Sequence, residues 1–174
     1  MTYIEILQGK LKRGVRMFRE LTRKNKQISE AECVNILVNE KRGVLSVIGE
    51  NGYPYGTPMN HFYNEEDGKI YFHCGKFGHR LDALKENDKV CFTVYDSGYQ
   101  DEGDWVYNVK SVIAFGRITI VDCQDKIADI ATKLSLKFIQ DEEHIKKEIE
   151  RSGAGTLLLE MSVEHMCGKS VREE

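Results

Sequence analysis

The sequence predicts a mainly β fold, a small antiparallel barrel with helical covers, and three observations carry that expectation. Short β-rich runs recur along the chain, at residues 43–49, 53–63, 69–74, 89–95, 106–121 and 156–163. Strong hairpin turns, Glu50-Asn51-Gly52 and Asp67-Gly68, join neighbouring runs too closely for anything but antiparallel pairing. Helical segments are few, so they can cover a barrel but cannot alternate with strands to flank a parallel sheet.

The first predicted helix spans residues 29–40. Ser29-Glu30-Ala31-Glu32 reads as a capping box, in which the Ser29 hydroxyl meets the Glu32 amide and the Glu32 carboxylate reaches back. Ile28 can staple against Cys33, and Ala31, Val34, Leu37 and Val38 form an apolar face. The 53–63 run carries Pro54 and Pro58, which remove two ladder donors. That strand is therefore expected to be bent, at an edge, or opened beside a ligand. A short helix is expected around 81–85, and residues 97–104 read as a polar connection. Residues 106–121 read as one long strand with a bend or bulge at Gly116. Residues 124–138 have a helical face of Ile127, Ile130, Ala131, Leu134 and Phe138, and the polar segment 141–151 leads to the last strand.

A chain of 174 residues is read as one domain, 23–174, behind a basic leader, 1–22. Between Lys10 and Lys26 eight Lys/Arg residues face only Glu20. The net charge of −3 nevertheless argues against a dedicated nucleic-acid binder. No run has the apolar length of a membrane helix or a signal peptide, which makes the cytoplasm the expected compartment. Five cysteines, an odd number without a C-x-x-C pair, suit reduced thiols rather than a disulfide framework or a zinc site.

The residues richest in chemistry follow the run ending Phe72-His73-Cys74. Gly75-Lys76-Phe77-Gly78-His79-Arg80 is a glycine-bracketed basic loop opening a helix. Such a loop can gather Lys76, His79, Arg80 and free backbone amides around one phosphate. G-x-G-x-x-G, Walker A, H-E-x-x-H and G-x-S-x-G motifs are missing. His61, His73 and Cys74 fit no metal-ligand spacing. With no nucleophile–base pair in view, chemistry carried by a bound cofactor is the natural expectation.

The order of several segments then resembles one family. These are Gly43-Val44-Leu45-Ser46, Gly52-Tyr53-Pro54-Tyr55-Gly56-Thr57-Pro58-Met59-Asn60, Ile70-Tyr71-Phe72-His73, Gly78-His79-Arg80-Leu81-Asp82-Ala83-Leu84, Ser111-Val112 with Phe115-Gly116, and Cys167-Gly168-Lys169-Ser170. Together they resemble the pyridoxamine 5′-phosphate oxidase-like flavoproteins, above all the nitroimidazole-resistance (Nim-type) branch. The resemblance implies an FMN-binding split β-barrel of six or so antiparallel strands in Greek-key order, forming a homodimer with FMN at the interface. By position, His79 and Arg80 would hold the FMN phosphate with Lys76 as an added cation. Thr57, Pro58, Met59, Asn60, His61 and Phe62 would line the flavin, largely through backbone groups. His61, one position out of phase with Phe62, is expected to point the other way and to be structural. Phe72 and His73 would face the flavin from the neighbouring strand, with His73 in contact with flavin or substrate, and Ser111 would approach from the partner subunit. The implied activity passes electrons from a reduced nicotinamide through flavin to a small acceptor, nitroaromatic or quinone-like. A non-catalytic flavin or haem carrier is the rival, and deazaflavin is an alternative cofactor. The chain lacks the C-terminal Arg-x-His segment of the true oxidases, so pyridoxamine oxidation itself is not implied.

Overall fold

The structure, a computed structural model, describes residues 18–173, so most of the predicted basic leader lies outside the described residues. Helix α1 (Glu30–Asn39) starts as predicted. Ser29 Oγ accepts from the Glu32 amide at 3.2 Å, and Glu32 Oε2 accepts from the Ser29 amide at 3.0 Å. Glu32 also accepts from Lys110 Nζ at 2.8 Å, tying the helix start to the sheet. That ammonium, with the Ser29 bonds, lowers the Glu32 pKa to about 2.

Seven strands follow: β1 (Arg42–Ile48), β2 (Pro54–Asn60), β3 (Phe62–Asn64), β4 (Lys69–Gly75), β5 (Lys89–Tyr95), β6 (Tyr107–Val121) and β7 (Thr156–Glu173). They form one antiparallel sheet in the order β2-β1-β5-β6-β7-β4-β3. The two edge strands, β2 and β3, are separated in sequence only by His61. The chain itself therefore joins opposite edges and curls the sheet into a barrel. The expected single strand 53–63 is two strands, which is why seven strands stand where six or so were expected.

The barrel is split because this closure is partial. β3 pairs only with residues 69–71 of β4, and beyond Tyr71 the rest of β4 has β7 as its sole strand partner. β2 likewise pairs only with β1. Both prolines of β2 sit on this edge strand, where a missing amide costs no ladder bond. The chain leaves β4 through residues 76–78 and enters helix α2 (His79–Glu86), which buries Leu81 and Ala83 beneath the gap.

Inside, Leu45, Phe92 and Ala114 share one register row, and Phe72 meets the Phe92 ring edge-on at 4.9 Å between centroids. Burying side chains of this size contributes about 1.5–3 kcal/mol each. Helices α3 (Gln124–Leu136) and α4 (Glu142–Ser152) lie outside the barrel, where Ile130 packs on Tyr71 and Leu158. The polar segment after 140 is thus a true helix, with Asp141 accepting from the His144 amide at 2.9 Å. Strand β7 runs ten residues past its expected end, because it pairs with β6 along the whole of that strand. The expected irregularity at Gly116 is a bulge: Phe115 pairs with His165 and Gly116 with Val163, leaving Glu164 over. Among the described residues no helix is long and apolar enough to cross a membrane.

Candidate functional site

Four of the predicted site residues, Thr57, Met59, His79 and Arg80, come together at the split in the barrel. Alternate residues of β2, Tyr55, Thr57 and Met59, point to the side on which α2 enters. Arg80 Nη1 donates to Thr57 Oγ1 at 3.2 Å and to Met59 Sδ at 3.1 Å. Its Nε is buried without any hydrogen-bond partner. A buried guanidinium N–H left unpaired is costly, and the cost is removed by an anion or acceptor arriving there. The His79 ring stacks on Tyr55 at 4.3 Å, 26° from parallel, and a methyl on Gly49 would lie 3.3 Å from its Nε2.

The start of α2 is built to expose backbone donors. Gly78 occupies the cap position with φ +128°, a conformation that disfavours a side chain, and no side chain caps the helix. Its carbonyl accepts from the amides of Leu81 and Asp82 at 2.9 and 3.2 Å. The acidic residue of the first turn, Asp82, is already paired with Lys85 at 2.8 Å. Positive helix-end potential and the Arg80 cation therefore act together on this one patch.

Thr57, Met59, His79 and Arg80 thus stand together. Pro58 and Asn60 alternate to the opposite face of β2, where Asn60 Oδ1 accepts from Arg42 Nε at 3.1 Å. Phe62 is partly buried against Tyr71 on the outer side. One side chain, Phe72, is placed otherwise than expected. Phe72 is 0% exposed, turned into the barrel because Ile70, Phe72 and Cys74 share the inner phase of β4. It cannot offer its ring to a ligand outside. His61 is also 0% exposed, with Nε2 2.9 Å from the Leu37 carbonyl, so its side chain serves the core, as its phase implied. His73, between Phe72 and Cys74, is exposed on the outer face, and partial desolvation holds its pKa below the usual histidine value.

Lys76 and Ser111 do not join this cluster. Lys76 lines a separate groove outside the barrel, with the ends of β6 and β7. Ser111 sits on β6 between Tyr95 and Lys169, three strands from β2 and so roughly 14 Å away along the sheet. The residue missed by sequence reasoning is Tyr55. Its period-two relation to Thr57 and Met59 was the available signal, since alternate residues of a strand share a face.

As chemistry, this arrangement binds more readily than it reacts. Cys74, the nearest thiol in sequence, is buried on the inner face, and among the described residues no serine or cysteine is hydrogen-bonded to His73 or His79. The features that remain are an unpaired guanidinium donor, an uncapped helix start, an aromatic-backed histidine and a bare strand edge. They suit a ligand with an anionic end and a flat polar edge.

Comparison with known proteins agrees with the architecture. A search of curated proteins finds no significant match. Among solved structures, a protein described as a candidate 5-nitroimidazole antibiotic resistance protein from Bacteroides thetaiotaomicron is 18% identical. The match covers 85% of this chain and 89% of that one, with a TM-score of 0.68. An FAD-binding protein from Mesorhizobium loti is 18% identical over 84% of this chain and 97% of its own, with a TM-score of 0.61. An FAD and haem binding protein from Mycobacterium smegmatis is 17% identical over 83% and 72%, with a TM-score of 0.65. At such identities these likenesses speak for the fold. The profile of the family described as pyridoxamine 5′-phosphate oxidase matches residues 29–170. The split barrel and that match, which among the described residues spans the four α-helices and every strand but the last three residues of β7, make the chain a member of the pyridoxamine 5′-phosphate oxidase family.

Proposed function

We propose that this chain is a flavoprotein that holds FMN at the barrel split and passes electrons from a reduced nicotinamide to a small acceptor, nitroaromatic or quinone-like. The observation that carries the reading is Arg80, whose buried Nε lacks a partner beside an uncapped helix start. That combination fits a phosphate monoester, which brings charge of about −1.5 to −2 and three acceptor oxygens. Family membership and structural neighbours described as flavin-binding support the same reading.

In this account Arg80 and the amides at the start of α2 bind the phosphate. Thr57 and Met59 keep the guanidinium aimed, and His79, backed by Tyr55, narrows the site. The outer edge of β2, with no strand beside it, offers backbone donors and acceptors to the polar rim of a flat ring. His73, exposed on the outer face of β4, can hydrogen-bond a bound acceptor there. A second copy of the chain completes the site with its Ser111, which explains why that residue stands apart within one subunit. Bound flavin supplies the hydride-accepting and electron-donating chemistry, so no side-chain base is obligatory.

Titration of FMN fluorescence against the wild type and Arg80→Ala tests the assignment. A lost charge-assisted hydrogen bond contributes about 1.5–3 kcal/mol, so binding should weaken roughly tenfold to hundredfold. The far-ultraviolet circular dichroism should stay unchanged, because among the described residues the Arg80 side chain bonds only to Thr57 and Met59. Wild-type affinity in the variant would remove the phosphate from this site.

A further inference from the structure

The groove that holds Lys76 is not used by the function proposed above. It lies outside the barrel, between the ends of β6 and β7 and the helices α3 and α4, and has a volume of about 640 Å³. Ile120, Ile127, Ile149 and Leu157 line it with branched aliphatic surface. Ile120, the last residue but one of β6, is 52% exposed and gives the groove apolar surface that a ligand could cover. Four polar residues share the lining: Lys76, Asp122, Gln124 and Thr156, the last donating its hydroxyl to the Ser152 carbonyl at 3.1 Å. Among the described residues, Lys76, Asp122 and Gln124 make no ion pair or side-chain hydrogen bond, although such partners are frequent elsewhere on this surface.

One ligand chemistry uses all of these features. A purine ring is flat, largely apolar on its faces and polar at its edge, so aliphatic walls can hold it while an amide such as Gln124 reads the edge. A ribose diol is met by a carboxylate, here Asp122, and a phosphate by a cation, here Lys76. A purely apolar ligand would leave Lys76 and Asp122 idle, and a bare phosphate would leave the aliphatic walls idle.

We infer that this groove is an adenylate subsite, taking the adenosine-phosphate half of a dinucleotide. FAD and the reduced nicotinamide nucleotides share that half. The choice of a dinucleotide rests on the flavoprotein reading, since Lys76 leads within four residues to Arg80 and thus from the groove to the barrel split. The presence of an adenylate site rests on the groove alone.

The test uses the full chain and adenosine 5′-monophosphate as probe, followed by isothermal titration calorimetry. Ile120→Glu places a carboxylate among the walls at an exposed position, and Asp122→Asn removes the partner of the diol. The first should weaken the probe roughly tenfold or more and the second several-fold, with FMN affinity unchanged in both. Displacement of the probe by FAD but not by FMN assigns the subsite to the cofactor. Displacement by NADH from FMN-loaded protein assigns it to the electron donor. Absence of binding at millimolar probe, or binding indifferent to Ile120→Glu, overturns the inference. Failure of FMN to bind while the probe still does would sink the flavin reading and leave the groove standing.

Discussion

Lowering the pH should weaken this protein through His61, and the effect can be sized from the structure. The ring is fully enclosed, edge-on to Phe92 at 4.9 Å, with Nε2 2.9 Å from the Leu37 carbonyl and Nδ1 without a partner. Pairing with a carbonyl requires Nε2 to carry the proton, so Nδ1 is the bare nitrogen. Desolvation first, and the Lys137 charge second, lower the His61 pKa to about 3 from an ordinary 6.5. Below pH 6.5 the unfolded chain takes up a proton that the folded chain refuses. The His61 contribution is therefore whole above pH 6.5 and drains away as the pH falls towards 3. Going from pH 6.5, where the unfolded histidine is half protonated, to 4.5, at a limiting 1.36 kcal/mol per unit, costs about 2 kcal/mol. Urea denaturation of wild type and His61→Gln, followed by circular dichroism across this range, isolates the effect, because every other titrating group is common to both. The stability difference between them should shift by about 2 kcal/mol against the wild type as the pH drops from 6.5 to 4.5. Parallel pH profiles would refute the neutral, enclosed histidine.

Further outcomes follow from the packing. A methyl at Gly116 would stand 2.1 Å from the Ser162 carbonyl oxygen, which is backbone and cannot swing aside. Gly116→Ala should cost about 3 kcal/mol or more in urea denaturation, whereas Gly75→Ala, with nothing within 4 Å, should stay within about 0.5 kcal/mol of wild type. Ser29→Ala removes one half of the capping box and should cost about 1 kcal/mol, read as a lower Tm. The loss should narrow as the pH approaches 2, where Glu32 protonates and the other half of the box weakens too.

Much of this fold was legible because its local signals agree with one another. Ser29 and Glu32 mark a helix start, Gly52 and Gly68 take the left-handed conformations their turns need, and residues 89–95 alternate cleanly in the sheet. The site loop was legible for the same reason, since Gly78 before His79-Arg80 announces a helix start that exposes its amides. Phe72 was misread because Ile70, Tyr71 and Phe72 are apolar in succession. Both faces of β4 are covered there, one by the barrel interior and one by α3, so alternation carries no sign of which is inner. The long β7 was shortened because its far half mixes Glu164, Lys169 and Arg172 with apolar residues. Only pairing with β6, a contact distant in sequence, reveals it as strand. Lys76 was grouped with His79 and Arg80 by nearness in sequence, but the turn at Gly78 sends them to different sides of the chain.

The central claim is a flavin at the barrel split, and the visible absorption spectrum of the gently purified protein, before and after adding FMN, tests it most directly. The account predicts the two-banded flavin spectrum, shifted from that of free FMN and retained through desalting. A Soret band would contradict it in favour of haem. A colourless protein that lets added FMN pass through the column would leave Arg80 holding nothing but Thr57 and Met59.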